Sequence, residues 1–115
     1  MENKIYILRF RAAGKDIFEA IKLGRKKVET RAATEKYRKI GKGDKVCLVC
    51  GREKFTKRVV AARVFLTIAA LLKKYRPSQI NPKIKTEAEL RKMYYSFPGY
   101  REKIKKYGLI AWELK

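Results

Sequence analysis

The segment GRKKVETR, residues 24–31, carries side chains that could hold an anion. Gly24 lies where a helix is predicted to end, and the strand that follows places Glu29 and Arg31 on one face, because alternate strand residues point the same way. Lys26 lies on the connection before this strand, free to bend over either face. Arginine offers a planar fork and glutamate accepts from exocyclic amines, so the three side chains could grip a phosphate or a base edge. Surface strands also carry alternating charges, so this segment alone fits a solvated edge equally well.

Lys26 and Glu29 are also the candidate catalytic pair if the protein is an enzyme. A buried lysine can act as a base or nucleophile when its pKa is lowered. A neighbouring glutamate stabilises the charged ammonium, however, and so opposes that activation. The sequence contains no histidine, which removes every Ser–His and Cys–His mechanism. Binding is therefore the preferred interpretation, and a hydrolase acting on RNA or on a modified nucleoside is the alternative.

The charge balance points to a polyanionic partner. The 115 residues include 31 Lys and Arg against 11 Asp and Glu, which gives a net charge of +20 spread along the whole chain. Nucleic acid is the leading partner and an anionic membrane surface is the second. A heat-adapted surface explains many charges but not the imbalance. Three basic runs are predicted to follow phosphates along the surface, and their residues are Arg38, Lys39, Lys73, Lys74, Arg76, Lys105 and Lys106.

No metal site and no cofactor are predicted. Cys47 and Cys50 have the spacing of a zinc or redox motif, but the sequence lacks the second cysteine pair or the histidines that a zinc site needs. The stretch KVCLVC is also typical of a strand, in which residues three apart point to opposite faces. We therefore predict two small buried thiols with a structural role.

Neither a targeting signal nor a membrane span is predicted. The first residues, MENK, lack the apolar core of a signal peptide. The most apolar run, residues 59–72, contains Arg63 and is too short to span a bilayer. These features predict a cytoplasmic protein without membrane contact.

Four aromatic residues lie close together between basic residues near the end of the chain. Tyr94 or Tyr100 could form a wall on which a base stacks, a contact that contributes roughly 1–3 kcal/mol where it occurs. The competing interpretation places Tyr95 and Phe97 as plugs of a barrel, and we expect at least two of the four in the core. Trp112, inside the last predicted strand, is expected to be a core residue.

The pattern of apolar residues predicts a single α+β domain over residues 1–115. Strands are predicted over residues 4–10, 27–33, 45–50, 56–66 and 109–115. Helices are predicted over residues 16–24, 68–75, 86–97 and 100–108, with a loop over 76–85. Asp16, Thr67 and Thr86 are predicted N-caps, and Thr86 forms a capping box with Glu89. Five strands with short helices between them suggest a small mixed sheet or barrel.

Three motifs, taken in order, resemble the ASCH domain family. The first is G-x-K-x-x-E-x-R over residues 24–31, and the second is Gly43–Asp44 ahead of a strand. The third is the closing segment, which carries Tyr94, Tyr95, Tyr100 and Gly108. ASCH domains are similar to PUA domains, which bind RNA. The resemblance covers the chain from about residue 16 to the end, and it implies a small PUA-like β-barrel of about five to six strands with short flanking helices.

The resemblance also implies a role in RNA metabolism, with RNA favoured over DNA as the partner. Some members are small RNA-binding modules, one group has been described as ribonucleases, and another removes the acetyl group from 4-acetylcytidine. That last group uses the lysine matched by Lys26, a threonine where this sequence has Glu29, and a glutamate after the long strand. No acid stands between Leu66 and Glu87 in this sequence, which departs from that arrangement. We expect an RNA-binding cleft formed by Gly24, Lys26, Glu29, Arg31, Tyr94 and Tyr100.

Overall fold

The computed structural model describes residues 4–115, and residues 1–3, part of the segment in which no signal peptide is predicted, lie outside the described residues. The described chain forms five strands and six helices, with a short 3₁₀ turn before the first helix. They are β1 (Ile5–Phe10), α1 (Lys15–Lys22), β2 (Val28–Ala32), α2 (Glu35–Arg38), β3 (Lys45–Cys50), β4 (Glu53–Phe65), α3 (Ile68–Lys74), α4 (Pro77–Ile80), α5 (Glu87–Ser96), α6 (Tyr100–Tyr107) and β5 (Leu109–Leu114). The predicted α+β class is confirmed.

The five strands form one curled sheet in the order β1-β3-β4-β5-β2. β1 runs parallel to β3, and the other neighbouring pairs are antiparallel. The long strand β4 pairs first with β3 and then with β5, and a bulge between Val59 and Ala61 helps it to bend. The curl brings the two edge strands near each other. Arg31 of β2 donates from Nη2 to the carbonyl oxygen of Arg9 in β1 at 3.1 Å. The sheet is therefore a half-barrel.

Each face of the sheet carries its own apolar core. On β5, Ile110 and Trp112 point into the first core, whereas Leu109 and Ala111 point into the second. A strand covered on both faces has an almost continuous apolar sequence, which explains the run LIAW. Trp112 is fully buried, as predicted, and its indole N–H donates to the carbonyl oxygen of Ile40 at 3.0 Å.

Two of the three predicted helix caps are confirmed. The hydroxyl of Thr67 accepts from the backbone N–H of Ala70 at 3.0 Å, and the hydroxyl of Thr86 accepts from that of Glu89 at 3.2 Å. The prediction that Asp16 is an N-cap is wrong. Helix α1 begins one residue earlier, and the Asp16 carboxylate pairs instead with Lys83 at 2.7 Å, a partner from a distant part of the chain.

The predicted loop over residues 76–85 contains one short helix, which corrects that prediction. Pro77 starts α4, and proline suits a first helical position because its fixed φ fits the helix and its missing N–H would have no helical partner there. The side chain of Gln79 accepts from the backbone N–H of Arg76 at 2.8 Å and completes the turn. Helix α4 packs near β2 and helps to cover that edge of the sheet.

Gly108 joins α6 to β5 without any intervening loop. Its φ of +79° lies in a region that L side chains rarely adopt, and a Cβ atom there would lie 2.4 Å from the carbonyl oxygen of Phe65. Only glycine therefore lets α6 pack this closely against the end of β4. This close approach holds the C-terminal end of α6 against β4, and Tyr100 is the first residue of the same helix.

The two cysteines lie on opposite faces of β3, as predicted, but only Cys50 is buried. Cys47 is half-buried, because its face of the strand is not covered by the first core, so the prediction of two buried thiols is half wrong. The apolar run 59–72 is divided between β4 and α3. Over residues 4–115, no helix is long and apolar enough to cross a membrane.

Candidate functional site

Lys26, Glu29 and Arg31 converge as predicted, and we call them the charged triad. The Glu29 carboxylate accepts from Lys26 Nζ at 3.2 Å through Oε1 and from Arg31 Nε at 3.0 Å through Oε2. The three side chains are only 1%, 7% and 13% exposed, respectively. The triad is therefore an interior ion-pair network and not an open cluster at the mouth of the sheet.

Burial and mutual attraction act against each other in the charged triad. Burial alone raises the pKa of Glu29, but the positive charges of Lys26 and Arg31 outweigh it and hold the pKa of this carboxyl below its usual value. Burial lowers the pKa of Lys26, and the opposing attraction of Glu29 does not fully restore it. Burial also works against the charge of Arg31, but Glu29 raises the pKa of this guanidinium overall. The Glu29 carboxylate is thus ionised at neutral pH, and its charge offsets the cost of burying Lys26 and Arg31.

Arg31 closes the half-barrel from inside. Besides the bond to Arg9, its guanidinium donates to the hydroxyl of Tyr37 at 3.2 Å and lies 4.9 Å from the ring centre of Phe10. A guanidinium over an aromatic face is attracted by the ring quadrupole. Arg31 therefore contacts β1, β2 and α2, and we assign its main role to holding these three elements together.

Side chains also satisfy the outer edge of β2. The bonds from Leu114 N to Lys27 O and from Ala33 N to Gly108 O show that odd-numbered residues pair with β5, so even-numbered residues present their backbone groups to the edge. Lys26 Nζ donates to the carbonyl oxygen of Val28 at this edge.

Tyr100 binds the same edge four residues further along the strand. Its hydroxyl accepts from the backbone N–H of Ala32 at 3.4 Å. Unpaired edge groups are costly when covered, so Lys26 and Tyr100 stabilise a strand that has only one strand partner.

The structure reverses the predicted roles of Tyr94 and Phe97. Tyr94 is 1% exposed, its hydroxyl bonds that of Thr30, and its ring stacks on Tyr100 with centres 6.4 Å apart, so it offers no open face to a base. Phe97, expected as a plug of the barrel, is 39% exposed. Tyr95 and Tyr100 are half-buried, and Arg101 lies 4.2 Å above the ring centre of Tyr95. Helix α5 turns its Tyr94 face to the second core, a choice that adjacent tyrosines leave open in the sequence.

A cleft of about 620 Å³ opens beside the charged triad, and we call it the basic cleft. Its lining includes five lysines, Lys26, Lys27, Lys57, Lys74 and Lys115, of which Lys26 is buried in the charged triad. Its other lining residues are Ile21, Gly24, Val28, Val60, Tyr75, Gln79, Glu113 and Leu114. Of the six residues predicted to form the RNA-binding cleft, Gly24 and Lys26 line it. Glu29, Arg31, Tyr94 and Tyr100 do not.

One carboxylate lies on the wall of the basic cleft. Glu113 Oε2 accepts from the hydroxyl of Tyr75 at 2.6 Å and from Arg63 Nη1 at 2.6 Å, and Arg63 also donates to the Tyr75 oxygen at 3.0 Å. The hydrogen bond from Tyr75, with help from Arg63, lowers the pKa of Glu113, while burial beside the carboxylate raises the pKa of Tyr75 to about 12. This cluster was not predicted from the sequence, because its members come from three separate elements.

No protein-family model matches the chain, and no curated protein matches it significantly. Solved structures do match it, and two of them are the following. The crystal structure of the hypothetical protein PH0355 is 31% identical, covers 97% of each chain and superposes with a TM-score of 0.80. The solution NMR structure of PF0455 from Pyrococcus furiosus is 33% identical, covers 100% of this chain and 96% of that chain, and gives a TM-score of 0.69. The protein belongs to the same family as these two structures.

This family membership establishes the half-barrel fold across nearly the whole chain and assigns no activity. The resemblance to ASCH domains therefore stays a prediction. The seven basic residues that were predicted to lie on the surface are all exposed: Arg38, Lys39, Lys73, Lys74, Arg76, Lys105 and Lys106.

The seven basic residues do not all line the same groove. Lys74 lines the basic cleft, whereas Lys105 lines a separate groove of about 340 Å³ beside Tyr95 and Arg101. Arg38 donates to the carbonyl oxygens of Ala33 and Tyr107 at 3.3 and 2.8 Å, so it also ties α2 to the end of α6.

Proposed function

We propose that this protein is a PUA-like half-barrel that binds RNA in its basic cleft. The observation that carries the proposal is the lining of that cleft by Lys27, Lys57, Lys74 and Lys115. Within residues 4–115, none of these four ammonium groups has a carboxylate within 4.0 Å. Cations that are not neutralised by the protein itself favour an anionic ligand, and a chain of net charge +20 attracts polyanions over a long range.

The chemistry of the four lysines suits a phosphate backbone. Lysine is a compact point charge on a flexible stem, so it can follow phosphates without demanding one geometry. Each phosphate that it neutralises releases condensed counterions, which makes the affinity fall steeply with salt. The cleft is concave and bounded by the helices after β4, which favours a single strand over a duplex. RNA is preferred over DNA in this proposal because the sequence motifs resemble RNA-binding domains.

In this proposal the charged triad positions the cleft and does not touch the ligand. Lys26 is tied to Glu29 and to the carbonyl oxygen of Val28, and these bonds fix the connection that carries Lys27. Arg31 holds the Glu29 carboxylate, and Glu29 in turn holds Lys26. The motif residues thus act through their neighbour, and Lys27 meets the phosphate.

A hydrolase acting on RNA or on a modified nucleoside is the second candidate. The observation in its favour is that burial lowers the pKa of Lys26, which moves this lysine toward the neutral form that a nucleophile or base requires. Against it, the ammonium already donates to Glu29 and Val28, and the side chain is 1% exposed. Release of product from RNA or 4-acetylcytidine by the unaltered protein would favour this candidate over binding alone.

Fluorescence anisotropy of labelled single-stranded RNA, structured RNA and duplex DNA over a series of salt concentrations tests the binding proposal. The variant Lys57→Ala/Lys74→Ala removes two cleft cations, and Lys85→Ala/Lys92→Ala removes two exposed cations that do not line the cleft. We expect the first variant to reduce the slope of log K against log salt by about 1.4, since each contact with a single strand contributes about 0.7. The second variant should keep the slope of the unaltered protein.

Two results would overturn the proposal. Equal slopes for the two double variants would mean that bulk charge, and not the cleft, attracts RNA. Equal affinity for RNA and duplex DNA at near-physiological salt would mean that the protein coats any polyanion.

A further inference from the structure

Glu113 is an unexpected residue in a cleft that otherwise attracts anions. It faces the same side of β5 as Ala111, next to Tyr75, and lines the basic cleft together with five lysines. A carboxylate repels phosphate, so its presence weakens general attraction for a polyanion. A carboxylate in such a cleft suits a part of the ligand that donates hydrogen bonds.

The Glu113 carboxylate is held rigidly and still has acceptor capacity. Its hydrogen bonds from Tyr75 and from Arg63 both fall on Oε2. Within residues 4–115 no side chain or backbone group donates to Oε1, and a carboxylate oxygen can accept two hydrogen bonds. The side chain is 34% exposed, so a ligand in the cleft can reach it. Its lowered pKa keeps it an acceptor at neutral pH.

We propose that Glu113 selects nucleobases that carry an exocyclic amino group, which are cytosine, adenine and guanine, over uracil. This inference rests on the proposed function, because the lysines must first hold the phosphates of the same strand. Carboxylates pair with the N4 amino group of cytosine in known base recognition. Uracil offers only its N3–H, flanked by two carbonyl oxygens that the carboxylate repels.

The test measures the affinity of the full chain for four labelled hexaribonucleotides. These are oligocytidine, oligouridine, oligoadenosine, and the oligomer in which purine replaces each adenine and so lacks only the amino group. We expect about tenfold tighter binding of oligocytidine than of oligouridine, and of oligoadenosine than of the purine oligomer. The second pair depends on no protein variant and removes one amino group without adding an acceptor.

Variants then assign the preference to Glu113. Glu113→Gln has an amide that can donate to a uracil carbonyl, so we expect its cytosine-to-uracil ratio to fall to about one. Glu113→Ala should lose the same preference, because no acceptor is left to distinguish the bases that carry an amino group. Glu87→Gln removes an exposed carboxylate paired with Arg91 outside the cleft lining; its net charge matches that of Glu113→Gln, and it should keep the ratio.

The outcomes separate this inference from the function on which it rests. Binding of all four hexamers without preference, or an unchanged ratio in Glu113→Gln, would overturn the role of Glu113 and leave the RNA-binding proposal standing. Absence of binding to every hexamer and to longer RNA would overturn both.

Discussion

Glu29→Gln removes the only negative charge from the charged triad while keeping the size and shape of the side chain. The two contacts that it weakens measure 3.2 Å to Lys26 and 3.0 Å to Arg31. At an effective dielectric constant of about 20, each contact represents about 5 kcal/mol of gross Coulomb attraction. Most of this attraction offsets the cost of burying the charges. Removing one partner of a buried pair leaves a charge uncompensated, which costs about 3–5 kcal/mol, so we expect a loss of that size in the free energy of unfolding.

Urea unfolding followed by the fluorescence of Trp112, the single tryptophan, measures this loss. Trp112 pairs directly with Glu29 across β2 and β5 and is fully buried, so its emission reports on this part of the core. Urea is preferred to guanidinium chloride, because a salt would screen the charges under study. The matched control is Glu87→Gln, since Glu87 pairs with Arg91 on the surface of α5 and should contribute only about 0.3–0.5 kcal/mol.

The reasoning would be refuted if Glu29→Gln lost less than about 1 kcal/mol, because the triad would then behave as an ordinary surface pair. A second variant separates uncompensated charge from altered packing. Adding Lys26→Met to Glu29→Gln removes one of the two stranded cations, and we expect the double variant to be more stable than the sum of the single losses. Strict additivity would place the loss in packing and not in charge.

Two further predictions concern stability. The pKa of Glu29 is lowered in the folded protein, so its contribution is complete above the unfolded value of about 4.5 and is lost as the pH falls through the lower folded value. The difference in unfolding free energy between the protein and Glu29→Gln should therefore narrow as urea titrations move from neutral to acid pH, and a constant difference would contradict the assigned cause. Gly108→Ala should cost more than about 2 kcal/mol, because it combines a strained φ with a Cβ contact of 2.4 Å. Gly41→Ala, where a Cβ meets nothing within 4 Å, is its control, and similar losses in both would contradict the close-approach argument.

Local patterns predicted the elements and the faces of the strands well. The β-branched and aromatic runs predicted all five strands, and the alternation of β2 predicted that Glu29 and Arg31 share a face. These features depend on the period of a strand, which neighbouring residues determine. Asp16 shows the limit of such reasoning. Its residue type suits a helix cap, but Lys83, 67 positions away in the sequence, provides a charged partner that the local sequence does not reveal.

The burial of the charged triad could not be predicted for the same reason. It depends on the closure of the sheet, in which Arg31 reaches β1 from the opposite edge, 22 positions away in the sequence. The basic cleft is still less visible in the sequence. Lys27, Lys57, Lys74 and Lys115 come from four different parts of the chain, and no spacing rule joins them. Lys74 lies within a basic run that was predicted to be surface, but its place in a cleft follows only from the packing of α3.

The burial of the motif residues changes how the motif should be interpreted. A cation that binds a phosphate must be accessible to it. Lys26 and Arg31 are not, because they donate their hydrogen bonds to acceptors within the protein. Lys27 is exposed and lies directly after the buried lysine. The connection from Gly24 to β2 is therefore fixed on one side by the triad and presents its next cation on the other. Of these adjacent lysines, the buried Lys26 stabilises the connection and the exposed Lys27 is free to contact RNA. Substitution of Lys26 should therefore lower stability, and substitution of Lys27 should lower RNA affinity.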